Sequence, residues 1–124
     1  MKYYLYNISD PNGDIRYFGI TSDIKKREKR HNYLLKSGHD KELYNNFRKF
    51  HPNETIRLAK MMNLYQGEYH TKADAKRAEM ASILQSYLFY LSNKSFDYHN
   101  EHKHEFPLWQ SIPNISNRGT KINR

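Results

Sequence analysis

Arg27 and His31 lie four residues apart. On a helix advancing 100° per residue they share a face with Ile24, Leu34 and Leu35. Lys25, Lys26, Lys29 and Arg30 fall on the opposite side and point to water. An arginine on a core-facing side needs an anion or a structural partner, because desolvating an unpaired charge is costly. A buried ion pair would satisfy it, and so would a bound phosphate. For His31 the ordinary reading is a hydrogen-bonded core histidine. Glu79 is the mirror case: the fourteen residues that follow it, 80–93, carry no charge. Ala75 and Ile83 sit one turn below and above it. A surface pair with Lys76, three residues earlier, is one reading. A carboxylate held at the core edge as a Mg²⁺ ligand is the other. Mg²⁺ needs only one or two carboxylates when phosphate and water fill the remaining positions. Tyr6 and Tyr17 are aromatic residues of strand-like runs, where tyrosine is common.

The chain that must position these groups has 124 residues, which is one small domain. Its formal charge is +8 and its mean hydropathy is −1.04. No window approaches the roughly 18 apolar residues of a spanning helix. Eleven Tyr, six Phe and one Trp supply the bulky apolar surface that disordered chains lack. There is no Cys, hence no disulfide framework and no thiolate zinc site. The N-terminus Met1-Lys2-Tyr3-Tyr4 has no apolar secretory region. The expectation is an intracellular, soluble protein, cytoplasmic or phage-encoded, with a polyanion as its leading partner. Residues 22–60 hold eleven cations against five anions, so the basic excess is concentrated in one segment. A solvated helix face or a phosphate footprint would both look like this.

Tyr3 to Ile8 and Ile15 to Thr21 read as strands, with Asp10-Pro11-Asn12-Gly13 as the turn between them. If Pro11 and Asn12 are the turn centres, Tyr6 faces Tyr17. If Gly13 takes the left-handed position of a three-residue loop, Tyr6 faces Phe18. Only the first register puts the two tyrosines on one face. Ser22 or Asp23 caps a helix to about Leu35, ended by Gly38. A second helix runs from Asp40 to about Phe50, before Pro52. Thr55 to about Tyr65 reads as a strand. Thr71-x-x-Asp74 resembles a capping box and opens a long helix to about Leu91. The fold class is α/β (α+β): a small antiparallel sheet flanked by helices, in the order β-β-α-α-β-α. Residues 1–94 form the domain, and 95–124 a tail or wrapping segment. There, His99, His102 and His104 form a His-rich loop without regular metal-ligand spacing. Trp109 either stacks on a base or docks the tail.

These residues together resemble the GIY-YIG nuclease family. The two naming triplets are present in degenerate form as Tyr4-Leu5-Tyr6 and Tyr17-Phe18-Gly19. The run from Tyr17 through Gly19, Thr21, Asp23 and Ile24 to Arg27 and His31 is similar to the family string Tyr-x-Gly-x-Thr-x-Asp-Leu-x-x-Arg-x-x-x-His. Ala78-Glu79 and Ile83 resemble the later helix motif, with the Ala directly before the Glu. Asn93 suits the asparagine that follows, and Asn100 is the second choice. The triplets depart from the family at Tyr4 and Phe18, which are scaffold positions.

The resemblance implies a divalent-metal-dependent DNA endonuclease using Mg²⁺ or Mn²⁺ on double-stranded or branched DNA. It assigns catalytic positions to Tyr6, Tyr17, Arg27, His31, Glu79 and Asn93. Glu79 would hold the metal, Arg27 would stabilise transition-state charge, and Tyr6, its proton affinity lowered by cations, would accept a proton from water. Tyr17 would orient that water or the phosphate. His31 would bond a tyrosine hydroxyl or relay its proton, and Asn93 would support the site. Lys25, Lys26, Lys29 and Arg30 are expected to contact phosphates. The alternative is a non-catalytic nucleic-acid-binding domain with the same fold.

Overall fold

The computed structural model describes residues 1–61, 68–92 and 107–111. The expected domain boundary at residue 94, Asn93 and Asn100, and His99, His102 and His104 lie outside them. β1 (Tyr3–Ser9) is the centre of an antiparallel sheet. β2 (Ile15–Thr21) flanks it on one side, and β3 (Leu58–Lys60) and β4 (Glu68–Tyr69) pair with it on the other. α1 (Ile24–Lys36) and α2 (Glu42–Phe50) cover one face through Leu35, Leu43, Tyr44 and Phe47, which pack on Tyr6 and Ile8. α3 (Lys72–Ser92) covers the other through Ile83, which packs with Phe18.

The hairpin register is neither of the two expected. The turn itself is the three-residue kind: Gly13 is left-handed at φ 89°, and its N–H donates to the Asp10 carbonyl at 2.9 Å. Asp10 Oδ1 accepts from the N–H groups of Asn12 and Asp14, so one carboxylate organises the loop. Ser9 therefore opposes Ile15. One step further the ladder shifts, Arg16 being the extra residue of a β-bulge, and Ile8 opposes Tyr17. Tyr6 then faces Gly19. The bulge restores the parity that the turn had changed, so Tyr6 and Tyr17 share a face, with ring centroids 6.4 Å apart. A bulge follows from how one strand is held at its edge, which no turn signal encodes.

The expected end of the third strand at Tyr65 lies outside the described residues, and the strand starts later than the expected Thr55. Its beginning is taken by α1: Asn32 donates to the Ile56 carbonyl at 2.9 Å and accepts from its N–H at 2.8 Å. Glu28 Oε1 accepts from the Leu58 N–H. Side chains thus replace the ladder there, and pairing begins at Leu58. The two-residue β4 was not expected. The helices begin and end close to their expected caps: Asp23 Oδ1 accepts from Lys26 N–H, and Thr71 Oγ1 accepts from Asp74 N–H.

Residues 107–111 are packed on the domain. Leu108 is buried beside Phe18 and Ile83, and Trp109 is buried against Phe47 and stacked on Phe50. Of the two expected roles for Trp109, docking is the one observed.

The Tyr6 ring lies directly on Gly19, and a Cβ there would overlap its Cζ and hydroxyl. Tyr6 is fully buried and cannot swing aside. Gly19→Ala should therefore destabilise the fold by about 1–3 kcal/mol, as overpacking does. Thermal unfolding measures it, and an unchanged melting temperature would refute the close approach.

Candidate active site

The sheet face carrying Tyr6 and Tyr17 meets α1 and α2 around His31. His31 Nε2 is 2.8 Å from the Tyr6 hydroxyl, and Nδ1 is 2.8 Å from the Tyr44 hydroxyl. All three groups are almost wholly inaccessible: Tyr6 0%, His31 3%, Tyr44 1%. Burial, then Lys41 and Arg27, push the His31 pKa down to about 4. The imidazole is neutral, so one ring nitrogen accepts and the other donates. Burial raises the Tyr44 phenol to about 12. It raises Tyr6 well above the ordinary phenol value, with Tyr17 adding to the effect and Arg27 opposing it. In the chain alone the proton affinity of Tyr6 is therefore increased; the expected decrease rests on a bound metal as well as on cationic neighbours. The physical reason is its depth: desolvation disfavours the phenolate more than nearby cations favour it.

Tyr17 is only half-buried and faces a cleft of about 510 Å³. Arg27, Lys26, Arg30 and Lys41 line this cleft, with Asp23 as its one carboxylate among the described residues. The helical wheel placed Lys26 and Arg30 away from Arg27, yet all three border the same opening. Arg27 is exposed, in the first turns of α1 where the core gives way to the cleft. Among the described residues no carboxylate lies within 4 Å of it, so the expected alternative of a buried ion pair is not what holds it. Lys25 and Lys29 do not line the cleft.

Glu79 is 13% exposed, and its Oε1 lies 2.9 Å from Lys76 Nζ. It sits on α3, the helix that covers the sheet face opposite Tyr6, and is not among the residues lining the cleft. Among the described residues no three His, Cys, Asp or Glu side chains cluster as a metal site. A lone carboxylate does not suit zinc. It does suit a hard cation whose other ligands are phosphate oxygens and water.

Sequence reasoning missed Lys41 and Tyr44. Lys41 Nζ donates to the Tyr17 hydroxyl at 3.1 Å and lies over the Tyr17 and Tyr44 rings. Nothing in its loop sequence marks it. Tyr44 had a signal: it is the hydroxyl-bearing member of the buried α2 stripe Leu43, Tyr44, Phe47.

The site is thus a cationic cleft bordered by a half-buried tyrosine, on a small antiparallel sheet between helices. Compared with protein families, residues 2–87 match the GIY-YIG catalytic domain. The chain belongs to the GIY-YIG family, and its domain is of the nuclease type. No curated protein and no solved structure matches it significantly.

The His31 environment makes stability depend on pH in one direction. An unfolded histidine binds a proton near pH 6.5, the folded one only near 4. Stability is thus full above about pH 6.5 and is lost as pH falls towards 4, by up to about 3 kcal/mol. Denaturation midpoints between pH 7.5 and 4.5 should show this slope, and His31→Gln should flatten it. An equal slope in both proteins would mean that His31 is not buried neutral.

Proposed function

We propose that this chain is an endonuclease that hydrolyses phosphodiester bonds of DNA, double-stranded or branched, inside the cell. The observation that carries this reading is the cleft: Arg27, without a carboxylate partner among the described residues, faces it together with the Tyr17 hydroxyl. Being exposed, Arg27 is satisfied by water in the free protein and is left available to a phosphate. Arg27 presents a planar fork of donors to it, which is worth most as charge builds in the transition state. Tyr17 has a single proton to give, and Lys41 already donates to its oxygen. That proton is left for the cleft, where it orients a phosphate oxygen or the attacking water. Tyr6 is buried, and its part is to hold the His31 ring, with Tyr44, in one orientation behind Tyr17. Lys25, Lys26, Lys29 and Arg30 add sequence-independent attraction to the DNA backbone, in keeping with the +8 charge.

A divalent cation, Mg²⁺ or Mn²⁺, would supply Lewis-acid polarisation of a phosphate oxygen when bound. Glu79 is the residue that would hold it, and Asn93, outside the described residues, would support the site. Among the described residues no helix is long and apolar enough to cross a membrane.

One observation favours the second reading, a nucleic-acid-binding domain without catalysis: the Glu79 carboxylate is engaged by Lys76 and does not line the cleft. Cleavage of supercoiled, linear and branched DNA with and without Mg²⁺ separates the two readings. Under the nuclease reading, chelator and Glu79→Gln each abolish turnover while DNA binding persists. Full activity in either would remove the metal from the reaction.

Arg27 should separate from its neighbours on the same helix. Arg27→Ala is expected to lower the single-turnover rate by about 10²–10³-fold, as loss of a transition-state donor does. Lys25→Ala combined with Lys29→Ala should instead weaken binding and flatten its salt dependence. If Arg27→Ala changes affinity alone, Arg27 docks DNA and does no chemistry.

A further inference from the structure

β2 carries Tyr17 and, among the described residues, pairs with a strand on one side only, β1. An edge strand of this kind exposes unpaired backbone groups and is free to slip or to pair with another chain. Here its outer edge is occupied. Gln110 Oε1 accepts from the Phe18 N–H at 2.6 Å, and Gln110 Nε2 donates to the Phe18 carbonyl at 3.0 Å. The Trp109 N–H donates to the Arg16 carbonyl at 2.6 Å. Arg16 Nη1 donates to the Pro107 carbonyl at 2.9 Å, and its guanidinium lies 4.8 Å from the Trp109 ring centroid. Both neighbours of Tyr17 are therefore fastened from outside. Consecutive residues of the segment anchor in opposite layers, Leu108 with Phe18 and Ile83, Trp109 with Phe47. This alternation is that of a strand, although the segment forms none.

The geometry points to residues 107–111 as a strap that positions Tyr17, with Gln110 gripping Phe18 and Trp109 gripping Arg16 on either side of it. The segment lies beyond residue 87, where the family match ends. The bulge at Arg16 is what turns Tyr17 towards Tyr6, and the strap closes on that residue. Asp10 holds the other end of the same guanidinium, through Oδ2 at 2.9 Å from Nε. Turn, bulge and strap are thus tied through one arginine. The consequence for cleavage rests on the nuclease reading; the consequence for the position of the Tyr17 ring does not.

Gln110→Met keeps the side-chain length and removes the hydrogen-bonding groups. Three quantities are read on the full chain: hydrogen exchange at the Phe18 amide, the nuclear Overhauser contact between the Tyr17 and His31 rings, and single-turnover DNA cleavage with Mg²⁺. The ring centroids are 5.6 Å apart, within reach of the second measurement. The expected result is faster Phe18 exchange, a weakened Tyr17–His31 contact, and a rate lowered about tenfold or more, since small misplacements of a reacting group are costly. Affinity for a DNA duplex should stay within about twofold, because no cleft cation is altered. Faster exchange with an unchanged ring contact and rate would overturn the proposal. If the wild-type protein leaves DNA uncut, the nuclease reading fails, and the ring contact alone decides whether the strap positions Tyr17. Should Gln110→Met not melt cooperatively, Gln110→Asn, which withdraws the carboxamide from Phe18 by one methylene, is read in the same way.

Discussion

The Tyr6 phenol is pinned between a glycine and a histidine, and much of the structure is arranged to permit it. Its ring lies on the Gly19 backbone, where no side chain could fit, and its hydroxyl meets His31. That pair joins the central strand to the first helix across the core. Tyr44 completes the chain from the second helix, satisfying the remaining nitrogen of the buried ring. A neutral, doubly bonded imidazole is the state in which burying histidine costs least. The arrangement fixes where α1 crosses the sheet, and hence where Arg27 and Tyr17 stand relative to one another.

Around this buried anchor the polar work is divided by depth. Tyr6, His31 and Tyr44 are buried, His31 and Tyr44 at the floor of the cleft, and their burial holds them uncharged. Tyr17, Lys41 and Arg27 stand one layer out, where water and a ligand can reach them. Cations at the cleft push the histidine further towards neutrality, so the two layers reinforce each other. Tyrosine roles follow from depth more than from motif position: the buried phenol supports, and the half-exposed one faces the ligand.

Two amides handle the edges of the sheet in the same manner. Asn32 bonds both backbone groups of Ile56, and Gln110 bonds both backbone groups of Phe18. Each carboxamide presents one donor and one acceptor side by side, as an adjacent strand would. The first ends strand pairing on the β3 side, and the second closes β2 where the sheet would otherwise be open. A sheet this small is shielded at these points without another strand.

By itself the sequence determined the helices, the hairpin and the class of chemistry. Caps at Asp23 and Thr71, breakers at Gly38 and Pro52, and apolar periodicity are local signals, and the elements obey them because caps and turns act within a few residues. Arg27 and His31 stood out for the same reason: a charge and an imidazole on an apolar face break a local pattern. The tertiary structure decided the rest. The register passed through a bulge at Arg16, a residue that also bonds Pro107, 91 residues further along the chain, and Trp109. Lys41 joined the cleft because two helices bring its loop over Tyr17, and no spacing rule announces that. The high proton affinity of Tyr6 came from complete desolvation, a property of everything packed around it and of no motif it belongs to.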